Sequence, residues 1–157
     1  MTFTTHVAIG ATIGSLIGNP LLGFLLGLIS HFLVDMIPHG DNNLADRYRA
    51  NKKKRMGVAY VTVDAACAIL LLMSIVSGRP NGTDNIAFSA AVVGSILPDL
   101  LVGLKELFSK SKILKGFYRV HFFFHDFFSR KYGDVKLSHA IAGQAIFIVV
   151  LMHYFVT

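Results

Sequence analysis

Ser30-His31-Phe32-Leu33-Val34-Asp35-Met36-Ile37-Pro38-His39-Gly40-Asp41 closes an apolar segment that begins at Leu21. Ionisable groups in a bilayer cost several kcal/mol each unless they are paired or coordinate something, so their default reading is a functional site. Histidine and aspartate at this depth are the side chains of a metal site. His31 and Asp35 stand four residues apart, which puts them on one face of a helix.

The rest of the chain suits a membrane. Of its 157 residues, 54% are hydrophobic and 15% charged, against roughly 25% charged in ordinary globular proteins. Mean hydropathy is +0.58. The length predicts a single domain covering 1–157. Net charge is +6, but the basic residues are not dispersed: six lie between Arg47 and Arg55 and eight between Lys105 and Lys136, leaving only Arg79 elsewhere. That is the asymmetry of membrane loops rather than of a nucleic-acid face, so no nucleic-acid partner is expected. Cys67 is the single cysteine, which excludes a disulfide framework and thiolate ligation. The N-terminal stretch lacks a basic region and runs on into the fold, so no cleaved signal peptide is expected.

Hydropathy and helix breakers predict an all-α integral membrane bundle of about five hydrophobic helices plus an interfacial aromatic and basic helix. The membrane helices run from about Thr5 to Gly18, Pro20 to Ile37, Met56 to Ser77, Asn85 to Phe108 and Val135 to Val156. Asn19-Pro20 breaks the first from the second, Gly78-Arg79-Pro80-Asn81-Gly82 is a turn, and Pro98 is an internal kink or break. Ile113 to Arg130 is the interfacial helix, with Phe122, Phe123, Phe124, Phe127 and Phe128 as an aromatic belt. A span needs roughly 20 apolar residues. The last three membrane helices meet this; the first two, about 21 and 27 Å long by helical rise, either span or form a re-entrant hairpin.

With both basic loops on the cytoplasmic side, the N-terminus is inside and the C-terminus outside. His6, His31, Asp35, His39, Asp64, Asp99, His121, His125 and His139 then all fall in the inner leaflet, while His153 and Asp84 fall opposite. Small residues recur on the same faces: Gly10, Gly14 and Gly18 follow His6 at intervals of four, Gly23 and Gly27 precede His31, and Ala87, Ala91 and Ser95 precede Asp99. Such faces let helices approach closely, so the polar groups point into the bundle. The nine inner residues are the predicted metal ligands. They exceed one tetrahedral shell, which suggests two ions, or one ion with an outer shell of ligands. Mixed imidazole and carboxylate donors suit zinc first, with manganese or iron(II) as alternatives.

Duller roles stay open. Asp35 could bond His31 alone, Asp64 a serine of the fourth helix, and Asp99 could cap the turn after Pro98. His6 and His139 could meet the interface at helix starts, and His121 and His125 could belong to the aromatic belt. Asp46, Asp126 and Asp134 read as loop or cap residues, with Asp41 the better candidate for chemistry.

Thr5-His6 with its following glycines, the Ser30 to Asp41 stretch, Leu97-Pro98-Asp99 and a later histidine-rich segment together resemble the membrane-bound metal-dependent hydrolases of bacteria and archaea. The resemblance covers most of the chain in motif order, and the Ser-His-(three)-Asp-(two)-Pro-His pattern is its distinctive part. It implies a compact helical membrane protein of a prokaryotic inner membrane with a His/Asp metal site, more distantly similar to zinc-dependent phospholipase C. His6, His31, Asp35 and Asp99 match the family's metal residues. Where the family often has His-Arg and then Thr-His-Ser, this chain has His121-Phe122-Phe123-Phe124-His125-Asp126.

The expected activity is hydrolysis. A metal would activate water and stabilise developing charge, with Asp35 or Asp41 as general base. Arg47, Arg49 and Arg119 beside an aromatic belt favour a lipid or lipid-like phosphorylated substrate at the cytoplasmic leaflet. Metal-ion or proton transport, or a non-catalytic membrane adaptor, are the competing readings. No oligomeric state is expected from the sequence.

Overall fold

The computed structural model describes residues 1–42, 54–79 and 85–156. Among them are seven helices and no strand: α1 Phe3–Leu16, α2 Pro20–Asp35, α3 Lys54–Gly78, α4 Asn85–Leu107, α5 Lys112–His125, α6 Phe127–Tyr132 and α7 Leu137–Val156. The all-α expectation holds, and the expected helix bounds agree to within about two residues except in one place. The interfacial segment is two helices, not one, divided at Asp126, whose backbone leaves the helical path.

Local chemistry sets the boundaries. Thr2 caps α1 by accepting the Thr5 N–H. Asn19 caps α2 by accepting the Leu22 N–H at 3.0 Å, and Pro20 occupies the first turn, where its missing N–H costs nothing. Pro98 lies inside α4 without ending it.

The centre of the molecule is α4 packed along α2 and α1, with α3 and α7 outside them. The buried residues of α2 are Gly23, Gly27, His31 and Asp35, a single face repeating every four residues. Glycine is required where that face meets α4. A Cβ on Gly27 would strike the Ala91 carbonyl, and one on Gly94 would strike the Phe24 carbonyl. On α1, a Cβ on Gly14 would come within 2.6 Å of the Phe88 Cα. Gly18 and Gly103, at the ends of the same series, face open space, so close packing stops before them.

Among the described residues, two helices are long and apolar enough to cross a membrane: Arg55–Gly78, with mean hydropathy 2.1, and Asn85–Leu107, with 1.9. Pro20–Asp35 and Leu137–His153 are apolar but shorter. Large apolar side chains cover the outer faces, among them Ile69, Leu70 and Met73 of α3 and Ile146 and Val149 of α7. The buried interior combines a small apolar core, including Ala11, Phe88 and Val92, with polar residues: His6, His31, Asp35 and Ser95 are all essentially inaccessible. Apolar side chains on the outside with polar groups held within suit a protein whose outer solvent is lipid.

Candidate metal centre

His31 is placed by α2 and oriented by α4. Its Nδ1 lies 2.8 Å from the Ser95 carbonyl. A carbonyl only accepts, so Nδ1 carries the proton and Nε2 presents a lone pair. That Nε2 is buried and has no hydrogen-bond partner. It points into a group formed with Asp35, Asp99 and His121, whose ligand atoms lie within 4.8 Å of one another. Asp35 Oδ2 is 3.5 Å from His31 Nε2 and 3.7 Å from His121 Nε2; Asp99 Oδ1 is 3.8 and 3.9 Å from the same nitrogens. His121 reaches the group from α5, about one turn from its end. Burial holds its imidazole down to about 4, so it too is neutral with a free electron pair.

A second group adjoins the first and shares Asp35 with it: Asp35, His39 and His125. His39 donates Nδ1–H to the Ile37 carbonyl at 2.7 Å, and His125 Nδ1 lies 2.9 Å from the Asp126 carboxylate. Both rings therefore turn Nε2 inward, and the two Nε2 atoms stand 3.1 Å apart. Metal–nitrogen bonds of about 2.0–2.1 Å at a tetrahedral angle separate two ligand nitrogens by about 3.3 Å. At that spacing either one Nε2–H donates to the other, or both lone pairs face a cation between them. Asp41 completes this side, 3.2 Å from His39 Nε2 and 3.3 Å from His125 Nε2. The Met1 ammonium rests against Asp35 Oδ1 and 2.8 Å from His39 Nε2, so a positive charge is already accommodated here.

The electrostatics agree. Burial disfavours the charged form of His125, but the Asp126 and Asp41 carboxylates outweigh it and raise the group to about 10. Burial pushes the Asp41 carboxyl up, yet hydrogen bonds to His125 and His39 hold it well below the usual carboxylate range. A proton and a metal ion compete for such a nitrogen. Asp35 is almost wholly buried, and a carboxylate there would be strongly destabilising without cationic partners. His31, His39 and His125 each meet an outer oxygen through Nδ1 and turn Nε2 towards one buried carboxylate, an arrangement that fits a divalent metal.

Of the predicted ligands, His31, Asp35, His39, Asp99, His121 and His125 fall in these two groups. His6 is beside them: its Nε2 is 3.2 Å from Asp35 Oδ1, and its ring stacks on His31 at 4.1 Å. Two predicted ligands are elsewhere. Asp64 faces the start of α1, where its carboxylate accepts from the N–H groups of Phe3 (2.6 Å) and Thr4 (3.1 Å) and from the Thr4 hydroxyl (2.6 Å). A negative charge at a helix N-terminus meets unpaired N–H groups, which satisfies Asp64 without a metal. His139 is exposed on α7. Arg119 is exposed on α5, two residues from His121 and so nearly opposite the face that holds the histidines. Arg47 and Arg49 lie outside the described residues.

Three contributors carried no clear sequence signal. Asp126 orients His125 and is itself bound by Arg130 at 3.0 Å. Asp134 accepts the N–H groups of Gly40 (2.8 Å) and Asn42 (3.2 Å), fixing the turn that presents His39 and Asp41. Gln144, buried on α7, accepts from Thr2 N–H and the Thr5 hydroxyl and anchors α1 beside the site. A carboxylate next to a ligand histidine could have flagged Asp126; nothing local distinguishes Gln144.

Comparison with known proteins is negative throughout: no family model, no curated protein and no solved structure matches this chain.

Proposed function

We propose that this protein is a membrane-embedded, metal-dependent hydrolase that cleaves a phosphoester of an amphiphilic substrate at the cytoplasmic leaflet. The observation that carries the reading is the sharing of Asp35 between two ligand groups, with His31 and His39 each held by an outer carbonyl in the tautomer that aims Nε2 inward. Paired divalent sites of this kind are suited to displacement at phosphorus, where they supply an ionised water and offset charge on the attacking and leaving oxygens. Zinc is the metal we favour, from the nitrogen-rich donor set.

The residues divide the work. His31, His121 and Asp99 would hold one ion, His39 and His125 the other, with Asp35 common to both. Asp41, in contact with His39 and His125 and partly accessible, is placed to accept the proton lost by water. His6 shields and orients Asp35 from the α1 side. The apolar exterior and the two long apolar helices support a reading in which the substrate is a lipid. The remaining apolar helices α1, α2 and α7 complete a five-helix membrane bundle in this reading.

The test is metal-loaded protein in detergent offered phospholipids and soluble phosphoesters, with Asp35→Asn in parallel. Chelator-sensitive release of phosphate or a phosphorylated headgroup by the parent, lost in Asp35→Asn, is the expected result. A metal-loaded parent that hydrolyses nothing on the panel while passing metal or protons across liposomes would replace hydrolysis with transport.

A further inference from the structure

Beside the candidate metal centre, between the end of α2 and the face of α7 that carries Gln144, lies a groove of about 450 Å³. Val34, Ile37, Val135, Ala140 and Phe147 make its walls largely apolar, with His139 and Gln144 also in the lining. One end is different. His39, whose Nε2 belongs to the second ligand group, lines the groove directly. Ile37, Val135 and Phe147 remain half exposed at the rim, so the groove opens sideways onto the apolar exterior instead of onto a polar face. Its wall on α7 contains Gly143, where a Cβ would meet nothing within 4 Å. Like Gly18, Gly103 and Gly116 it adjoins open space, and here that space belongs to the groove.

We propose that the groove takes the hydrocarbon chain of the phosphorylated amphiphile whose headgroup lies at His39. This rests on the reading of the His/Asp cluster as a phosphoester site and narrows its substrate class. The volume is in the range that encloses a small ligand. Continuity between apolar walls and a polar, cation-binding end matches a molecule with a long chain and an anionic head. An apolar chain entering from the lipid side leaves no polar group unpaired, whereas a soluble substrate would leave this wall unused.

The experiment uses zinc-loaded protein in nanodiscs with a hexadecylphosphonate bearing a mid-chain diazirine, which cannot be hydrolysed. Photolysis and peptide mapping should place adducts on the segments around Val34 and Ala140. Gly143→Phe, which fills space that is open, should reduce these adducts at least tenfold with metal content unchanged. Val135→Trp, also in the lining, should act likewise, and Gly116→Phe, at an open position on α5, should not. Adducts spread over the outer face of α3 and indifferent to both groove substitutions would overturn the proposal. So would equal labelling by the diazirine-bearing hexadecanol, since the anionic head would then play no part. The two readings fail separately. A parent labelled in the groove but inert towards every phosphoester loses the hydrolase activity and keeps the groove. A parent that hydrolyses long-chain phosphoesters undiminished by Gly143→Phe keeps the activity and loses the groove.

Discussion

His31 becomes a candidate ligand through a bond on its far side. The Ser95 carbonyl fixes the proton on Nδ1, and the lone pair on Nε2 then has no destination except the cluster. Removing either partner should therefore act on metal binding before it acts on the fold. His31→Ala is expected to lose the ion of the first group and keep that of the second; His39→Ala should do the reverse. Asp35→Asn, which weakens the shared carboxylate, should lose both. Metal analysis of the purified variants distinguishes these patterns, and equal losses in all three would refute a shared Asp35. Asp126 works one bond further out. Replacing the partner of a ligand histidine typically weakens metal affinity by about 10–100-fold. Asp126→Asn should fall in that range in a chelator competition, with Asp126→Glu partly restoring affinity. An Asp126→Asn protein with the parent's affinity would show that His125 needs no such orientation.

Among the helices, α2 and α4 carry the site because their backbones come close enough to bring His31 under Ser95. The glycines of that seam allow it. Gly27→Ala places a methyl group against a backbone carbonyl that cannot rotate away, and forced overpacking of this kind costs about 1–3 kcal/mol. The expected outcome is a lower unfolding midpoint in detergent together with weakened metal binding, since the same shift moves Ser95 from His31. Gly18→Ala, with nothing near it, should match the parent in both. If Gly27→Ala were as stable as Gly18→Ala, the seam would be looser than these contacts require. α5 behaves differently. Its outer face is aromatic and basic while His121 and His125, four residues apart, turn inward, so one amphipathic helix serves as both surface belt and lid of the site.

Taken whole, the described residues bury histidine and aspartate beside a small apolar core and carry large apolar side chains on the outside. The positive-inside bias predicts that the segment from Lys105 to Lys136 faces the cytoplasm and the end of α3 faces out. With Cys67 replaced, a cysteine at Ser77 should react with an impermeant reagent added to intact cells. One at Ser109 should react only after permeabilisation. The opposite pattern would invert the orientation and move the candidate centre to the other leaflet without altering its geometry.

Helix content, helix ends and the gathering of histidine and aspartate at one end of the helices were legible in the residues themselves. Asn19-Pro20, the apolar runs and the spacing of four act within a turn or two, where sequence and structure are tied by local sterics. Even the buried face of α2 followed from that spacing. The composition of the site was not legible to the same degree. Asp64 and Asp35 have the same side chain and similar apolar neighbours. One is drawn to the open N–H groups of α1 and the other to imidazoles from three separate helices. Which of these occurs depends on how α1, α3 and α5 rotate and dock, and a turn of one helix by a single residue, about 100°, would exchange the partners. The division of the ligands into two groups around Asp35, the diversion of Asp64, and the conversion of Asp126 from loop residue to histidine partner were decided by tertiary packing, because each is a distance between residues far apart in the chain.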